Sequence, residues 1–346
     1  MQRWLESQWA RIGPAAILLA PLTAAFAAVT SLRRAFYRAG ILKGWRARVP
    51  VIVVGNITVG GSGKTPLVIA IVERLREAGF RPGVVSRGYG AVPPGTEDPL
   101  GVVRVFPGVT TPERAGDEPV LIAERCGVPV FVSTDRPRAV QALLAANPEV
   151  DVVVSDDGLQ HYALARQVEI AVVDGARLFG NGMLLPSGPL REPVARLASV
   201  DAVVLNGGAA SLDLARRSFS MAPGNERFVS LADGRLLAPA DFALMARGAR
   251  THAIAGIAHP IRFFDHLARL GVHASGHPFS DHHAFQPGEL RLPEADLIVM
   301  TEKDAVKCRS FADARMWCLR IDAVLPGDFD RFLLECLKAK RGSQAA

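Results

Sequence analysis

An α/β fold, with a mostly parallel sheet flanked by helices, is what this sequence predicts, and three observations carry it. Short apolar, β-branched runs recur at 51–54, 83–86, 128–132, 152–155, 170–173 and 202–205, with helix-like runs such as 66–78 and 136–146 between them. The first of these runs enters a glycine-rich turn from which a helical pattern starts. After Gly207-Gly208 the alternation resumes on a smaller scale, as strand 251–256, helix 261–270 and strands 296–300 and 316–321.

The N-terminal element is apolar. No charged residue stands between Ile12 and Leu32, a length close to the roughly 20 residues that cross a bilayer. Alanine richness, Pro14 and Pro21 weaken it as a spanning helix, so it could span the membrane, lie in its interface, be a core helix or be a signal peptide, although the Arg-rich flank lies on the wrong side for the last. An uninterrupted basic run follows (Arg33, Arg34, Arg38, Lys43, Arg46, Arg48). No RNA- or DNA-binding motif accompanies it, so anionic headgroups are the expected partner rather than nucleic acid.

The expected division is a membrane-associating segment at 1–48, a core at 49–222 and a smaller α/β domain at 223–346. Runs 217–221 and 227–231, separated by Ala222-Pro223-Gly224-Asn225-Glu226, are expected to pair as a joining two-stranded ribbon. The tail 338–346 is expected to fray. The net charge is +6, apolar residues make up 49%, and the four cysteines lack C-x-x-C spacing, which excludes wholesale disorder, a zinc knuckle and a disulfide scaffold.

The glycine-rich turn carries chemistry. Thr58-Val59-Gly60-Gly61-Ser62-Gly63-Lys64-Thr65 lies between a strand and a helix, the context of a phosphate-binding P-loop. Backbone N–H groups and a helix N-terminus would cradle a polyphosphate. Lys64 would reach its outer phosphates, and the Thr65 hydroxyl would ligate Mg²⁺. Thr58 stands where the general pattern has its first glycine. The fold expectation therefore sharpens to a P-loop NTPase type.

Four further segments are candidates. Asp156-Asp157-Gly158 ends the 152–155 strand, where an acid holds Mg²⁺; two carboxylates before a glycine could equally cap a helix. Asp117 and Glu118 open a helical run, and Asp117 is a candidate to accept a hydroxyl proton. A stiff Pro/Gly loop delivers Arg191 and Glu192, an arginine suited to phosphate and, equally, to a surface ion pair. Thr301-Glu302-Lys303-Asp304 follows an apolar strand and is similar to the guanine-reading N/T-K-x-D, but its lysine is one position late.

Seven of the eight histidines fall between His252 and His283. His252, His259, His266 and His273 fall at intervals of seven, but Pro260 and Gly271 interrupt any single helix that could align them. The cluster Ser280-Asp281-His282-His283 is the better functional candidate, without the cysteines or H-x-x-x-H spacing of a zinc site.

Together, seven segments in register resemble the tetraacyldisaccharide 4'-kinase family of lipid A biosynthesis. They are the P-loop from Gly55 to Pro66, Ser86-Arg87-Gly88-Tyr89-Gly90, Gly116-Asp117-Glu118-Pro119, Asp156-Asp157-Gly158-Leu159-Gln160-His161, Gly188-Pro189-Leu190-Arg191-Glu192, Asp281-His282-His283 and Thr301-Glu302-Lys303-Asp304. The resemblance implies ATP and Mg²⁺ as cofactors and a tetraacylated glucosamine disaccharide 1-phosphate as acceptor, phosphorylated at its 4'-hydroxyl to give lipid IVA. It implies a location on the cytoplasmic face of the inner membrane, Asp117 as base oriented by His282, and Arg191 and Glu192 near the phosphates and metal. A switch GTPase or metallochaperone ATPase and a silent nucleotide sensor are the rival readings.

Overall fold

The computed structural model describes residues 9, 11–88, 101–208, 216–292 and 294–342, without the side chains of 339–342. Among these, thirteen strands run in chain order: β1 (Val51–Gly55), β2 (Pro82–Ser86), β3 (Val103–Val105), β4 (Val130–Val132), β5 (Val152–Ser155), β6 (Val168–Asp174), β7 (Ala202–Asn206), β8 (Ser218–Ser230), β9 (Leu236–Leu237), β10 (Thr251–Ala255), β11 (Ser275–Pro278), β12 (Leu297–Thr301) and β13 (Met316–Val324). The α-helices are α1 (Pro14–Leu18), α2 (Ala20–Arg38), α3 (Lys64–Glu77), α4 (Pro112–Ala115), α5 (Asp117–Cys126), α6 (Arg136–Ala146), α7 (Pro239–Met245), α8 (Pro260–Arg269), α9 (Glu302–Cys308) and α10 (Gly327–Gly342).

The chain forms two compact units. The first comprises 1–87, 133–222 and 325–346; the second comprises 88–132 and 223–324. The linear division at 49–222 and 223–346 therefore needs correction in two places. Segment 88–132 lies in the second unit, and 325–346 returns to the first. Apolar periodicity reveals that α5 and α10 bury a face, but not which sheet receives it.

In the first unit the strand order is β8-β7-β6-β1-β5-β2, every neighbouring pair parallel. β1 lies inside the sheet, completely buried, between β5 and β6. Sheets covered on both faces need strands without a polar side, hence the unbroken Val-Ile-Val-Val run. Parallel pairing of β1 with β5 brings Val53 opposite Ser155, so the turn after β1 and the acids after β5 emerge at the same sheet edge. Gly55 is required there, because a Cβ would sit 2.6 Å from the Leu159 Cβ. Helix α3 then buries Leu67 through Val72 and Leu75.

The N-terminal helices dock on one side only. The Thr23 hydroxyl donates to Ser187 Oγ at 2.7 Å, Ser187 Oγ donates to the Ala16 carbonyl at 2.8 Å, and Trp9 Nε1 donates to the Pro186 carbonyl at 3.1 Å. Leu22, Val29, Leu32 and Phe36 share another face of α2 and are exposed, Val29 by 66%. No described helix is long and apolar enough to cross a membrane.

In the second unit β11-β10-β12-β13 are parallel. The expected hairpin at 217–231 is instead one strand, β8, running through Pro223 with Asn225 at φ 51°. Its hydrogen-bonded neighbours beyond that point are β13 and, antiparallel, β9. Pro223 and Gly224 read locally as a turn, and pairing with β13 overrides that preference.

The pleat divides this unit's core. Ala253, Val299, Trp317 and Leu319 face one cluster, where Phe228 stacks on Phe242 at 3.8 Å; Ile254, Ile298, Met300 and Cys318 face the other. Helix α10 extends to Gly342, so 338–342, expected to fray, are helical.

Candidate active site

In the first unit the loop 58–65 leaves the carboxyl end of β1, as the sequence predicts. Gly63 takes φ 92° to turn the chain into α3, whose first residue is Lys64. A Cβ at Gly63 would come within 2.3 Å of Asn206 Nδ2. Side chains hold the loop from several strands. Asn56 Nδ2 donates to Ser62 Oγ at 3.0 Å, Asn206 Nδ2 to the Ser62 carbonyl at 3.1 Å, and Arg177 to the Gly61 carbonyl at 2.7 Å.

The Lys64 ammonium is 3.4 Å from Asp157 Oδ1, and Arg191 Nη1 is 3.3 Å from Asp157 Oδ2. Three of the predicted residues thus meet. Burial alone would raise the pKa of Asp157, but Lys64 and Arg191 outweigh it and hold the carboxyl below its ordinary value. Asp157 has φ 47°, a backbone region where Asp is tolerated because its short side chain bonds locally.

Asp156 faces elsewhere. It is fully buried, its Oδ2 accepts from the Ser86 hydroxyl at 3.0 Å, and its carbonyl accepts from the buried Arg136 at 2.8 Å. Burial lowers Arg136 to about 10 against the pull of Asp156 and Asp157. Ser86, from a predicted signature, therefore anchors Asp156; Tyr89 and Gly90 lie outside the described residues.

Glu192, beside Arg191, has partners of its own. Its carboxylate accepts from the Tyr162 hydroxyl at 2.7 Å and pairs with Arg196 at 3.1 Å, both in the buried side of the loop. Burial and the neighbouring Glu192 push the Tyr162 hydroxyl up to about 12, which keeps it a donor.

In the second unit Asp117 opens α5 and is only 4% exposed. Its Oδ2 is 3.0 Å from His282 Nδ1, and its Oδ1 accepts from the Glu118 N–H at 2.9 Å. Burial would raise Asp117; the His282 hydrogen bond and the Lys303 charge overcome it and lower the pKa. The Asp117 bond in turn raises His282. His283 points away, to Glu289 at 3.0 Å.

The 301–304 segment builds the support of this pair. Thr301 caps α9, its hydroxyl donating to Asp304 Oδ2 at 2.7 Å, and the same oxygen accepts from Gly256 N–H at 3.0 Å. The Gly256 carbonyl accepts from His282 N–H at 3.2 Å. Asp304, fully buried, therefore positions backbone and reads no base. The adjacent Glu302 pairs with Arg125 of α5 at 2.7 Å.

Arg136, Arg177 and Asn206 were missed as site residues, and Asn56 and Lys303 were named only as members of motifs, without a role. Among the three missed, Asn206 alone carried a signal, as a polar residue ending a parallel strand. Among the described residues no three His, Cys, Asp or Glu side chains group as a metal site.

A P-loop on an inner parallel strand, its lysine facing an ionised acid from the neighbouring strand, defines the P-loop nucleotide-binding α/β proteins. The family model described as tetraacyldisaccharide-1-P 4'-kinase (LpxK) matches residues 15–338, and the chain belongs to that family. Tetraacyldisaccharide 4'-kinase of Methylobacillus flagellatus is 43% identical over 342 residues, covering 98% of this chain and 96% of that relative. The enzyme of the same description from Azoarcus sp. is 48% identical, over 97% and 96%. The crystal structure of "apo" form LpxK from Aquifex aeolicus, in complex with ATP, superposes with a TM-score of 0.75 at 26% identity, over 93% of this chain and 99% of that one.

Proposed function

We propose that this protein transfers the γ-phosphoryl group of ATP to the 4'-hydroxyl of tetraacyldisaccharide 1-phosphate, giving lipid IVA in lipid A biosynthesis. The observation that carries this reading is the Lys64–Asp157–Arg191 arrangement at the P-loop of a chain matched by the kinase family almost end to end.

The first unit's residues act on ATP. Loop N–H groups from 58–65 bind the phosphates, with Lys64 and Arg191 neutralising charge that spreads over the transferring group. Asp157 separates these two cations until the nucleotide's oxygens compete for them. Thr65, Asp156 and Asp157 offer hard oxygen donors that fit Mg²⁺, Asp156 being held by Ser86 at Oδ2. The ion would supply further neutralisation of the phosphates.

The second unit supplies the base. Asp117 takes the proton of the 4'-hydroxyl as that oxygen bonds to the γ-phosphorus and ADP leaves. His282 fixes the carboxylate's orientation through Nδ1. Glu192 acts by bracing the loop that carries Arg191.

The exposed stripe of α2 and the basic run after it favour an interfacial anchor on the cytoplasmic face of the inner membrane, where a four-chain acceptor resides. Flotation with anionic and zwitterionic vesicles tests it: replacing Leu22, Val29 and Leu32 by serine is expected to abolish co-flotation. The kinase assignment is tested by transfer of ³²P from γ-labelled ATP to the purified lipid acceptor in micelles, with and without Mg²⁺. Mg²⁺-dependent labelling is expected; hydrolysis without labelling by folded enzyme would overturn it.

A further inference from the structure

Lys303 stands where α9 begins, its side chain 19% exposed among carboxylates. Its ammonium is 3.3 Å from Glu118 Oε1, 3.7 Å from Asp281 Oδ1 and 3.9 Å from Asp117 Oδ2. It is also 3.3 Å from His282 Nε2, the ring nitrogen opposite the one that meets Asp117. An ammonium carries three donors and no acceptor, so the nitrogen facing it must present a lone pair. A carboxylate only accepts, so Nδ1 must present the proton. The two contacts select one state of the ring.

We propose that Lys303 is a positioning residue: by donating to Nε2 it opposes protonation of His282 there and favours the tautomer with the ring proton on Nδ1, directed at Asp117. The proposal rests on Asp117 being the base. A protonated His282 would form an ion pair with Asp117 and weaken it as a proton acceptor. It would also set two cations 3.3 Å apart.

The other charges around the ring pull both ways, and on balance they raise His282 above its ordinary value, so Lys303 limits that rise. Asp281 Oδ2, 3.9 Å from Nε2, favours the protonated ring, but Lys303 is closer and also engages Asp281. On α5, Asp117 pulls His282 up, while burial and Lys303 oppose it. Lys307 of α9 acts on Asp117 in the same sense as Lys303. Glu118, Asp117 and Asp281 outweigh burial and raise the Lys303 pKa, so the ammonium stays charged wherever the enzyme works. The ring's placement is itself held, since His282 keeps φ 57° while its N–H bonds Asp281 and Gly256.

The test is a ¹⁵N-histidine NMR titration of the full chain without lipid, run beside the pH profile of kcat, for the native protein, Lys303→Met and Lys303→Arg. In the native protein His282 is expected to show an unprotonated Nε2 and a protonated Nδ1; the reverse tautomer overturns the proposal even if a variant fails to fold. Removing the cation stabilises the protonated ring, so Lys303→Met should raise the His282 midpoint by about one pH unit, a tenfold change in proton affinity. The acid limb of kcat should move up with it, and Lys303→Arg should stay near the native profile. An unmoved His282 midpoint, or a uniform loss of kcat at every pH, overturns the proposal. A moved midpoint with an unmoved kcat limb supports the Lys303–His282 link and defeats Asp117 as base.

Discussion

His282 Nδ1 lies 3.0 Å from the Oδ2 of Asp117, a carboxylate that is 4% exposed. The pair joins residues 165 positions apart and gives a carboxylate oriented by a neighbour and screened from water, the arrangement a base requires. Asp117→Asn keeps the shape and removes the proton acceptor. Turnover should fall by roughly 10²–10⁴-fold, the usual worth of general base catalysis. ATP affinity, measured by calorimetry, should be unchanged; an equal loss of affinity would place Asp117 in nucleotide binding.

Lys64→Ala removes the ammonium beside Asp157. ATP affinity or kcat should drop by at least about tenfold, read as a change in kcat/KM for ATP. Unaltered kinetics would show that the loop does not bind phosphate.

Asp157 makes stability depend on pH in a definite direction. Its folded-state pKa is depressed by Lys64 and Arg191 against burial. The unfolded chain therefore binds protons first as pH falls. Its contribution is complete above the ordinary aspartate range and lost as pH drops through the depressed value. Denaturant melts of Asp157→Asn against the native protein should differ in slope with pH in that acid window and run parallel above it. Parallel curves throughout would exclude the ion pairs as stabilising contacts.

Gly63→Ala places a Cβ 2.3 Å from Asn206 Nδ2 at φ 92°. Backbone strain alone should cost about 1–2 kcal/mol. The loop should deform, so ATP affinity should fall more than the melting temperature does. A variant with native affinity would mean that Asn206 moves without consequence.

Phe242→Ala opens a hole between Phe228 and Trp317, whose rings lie 3.8 Å and 5.3 Å from it. A loss of about 3–5 kcal/mol in urea unfolding is expected. A loss below about 1 kcal/mol would mean that the core collapses around the gap.

Local pattern made much of this legible. The β1 run leads directly into the Gly63-Lys64-Thr65 turn, and the acids directly follow the β5 run, so each element could be named from local spacing. The hairpin at 217–231 misled, because Pro223 and Gly224 signal a turn only until a partner strand is available. Glu192 shows another limit: its partner Tyr162 comes from another part of the chain, which spacing does not reveal.

By itself the sequence determined the parallel α/β class, the phosphate loop and the identity of the paired acids, since these follow from short-range periodicity, turn chemistry and charge. Which acid faces Lys64, how segment 88–132 joins 223–324 in one unit, and that Lys303 meets His282 were decided by tertiary structure alone. Those outcomes depend on strand order and on the burial of charges brought together from distant segments, and a linear spacing contains neither.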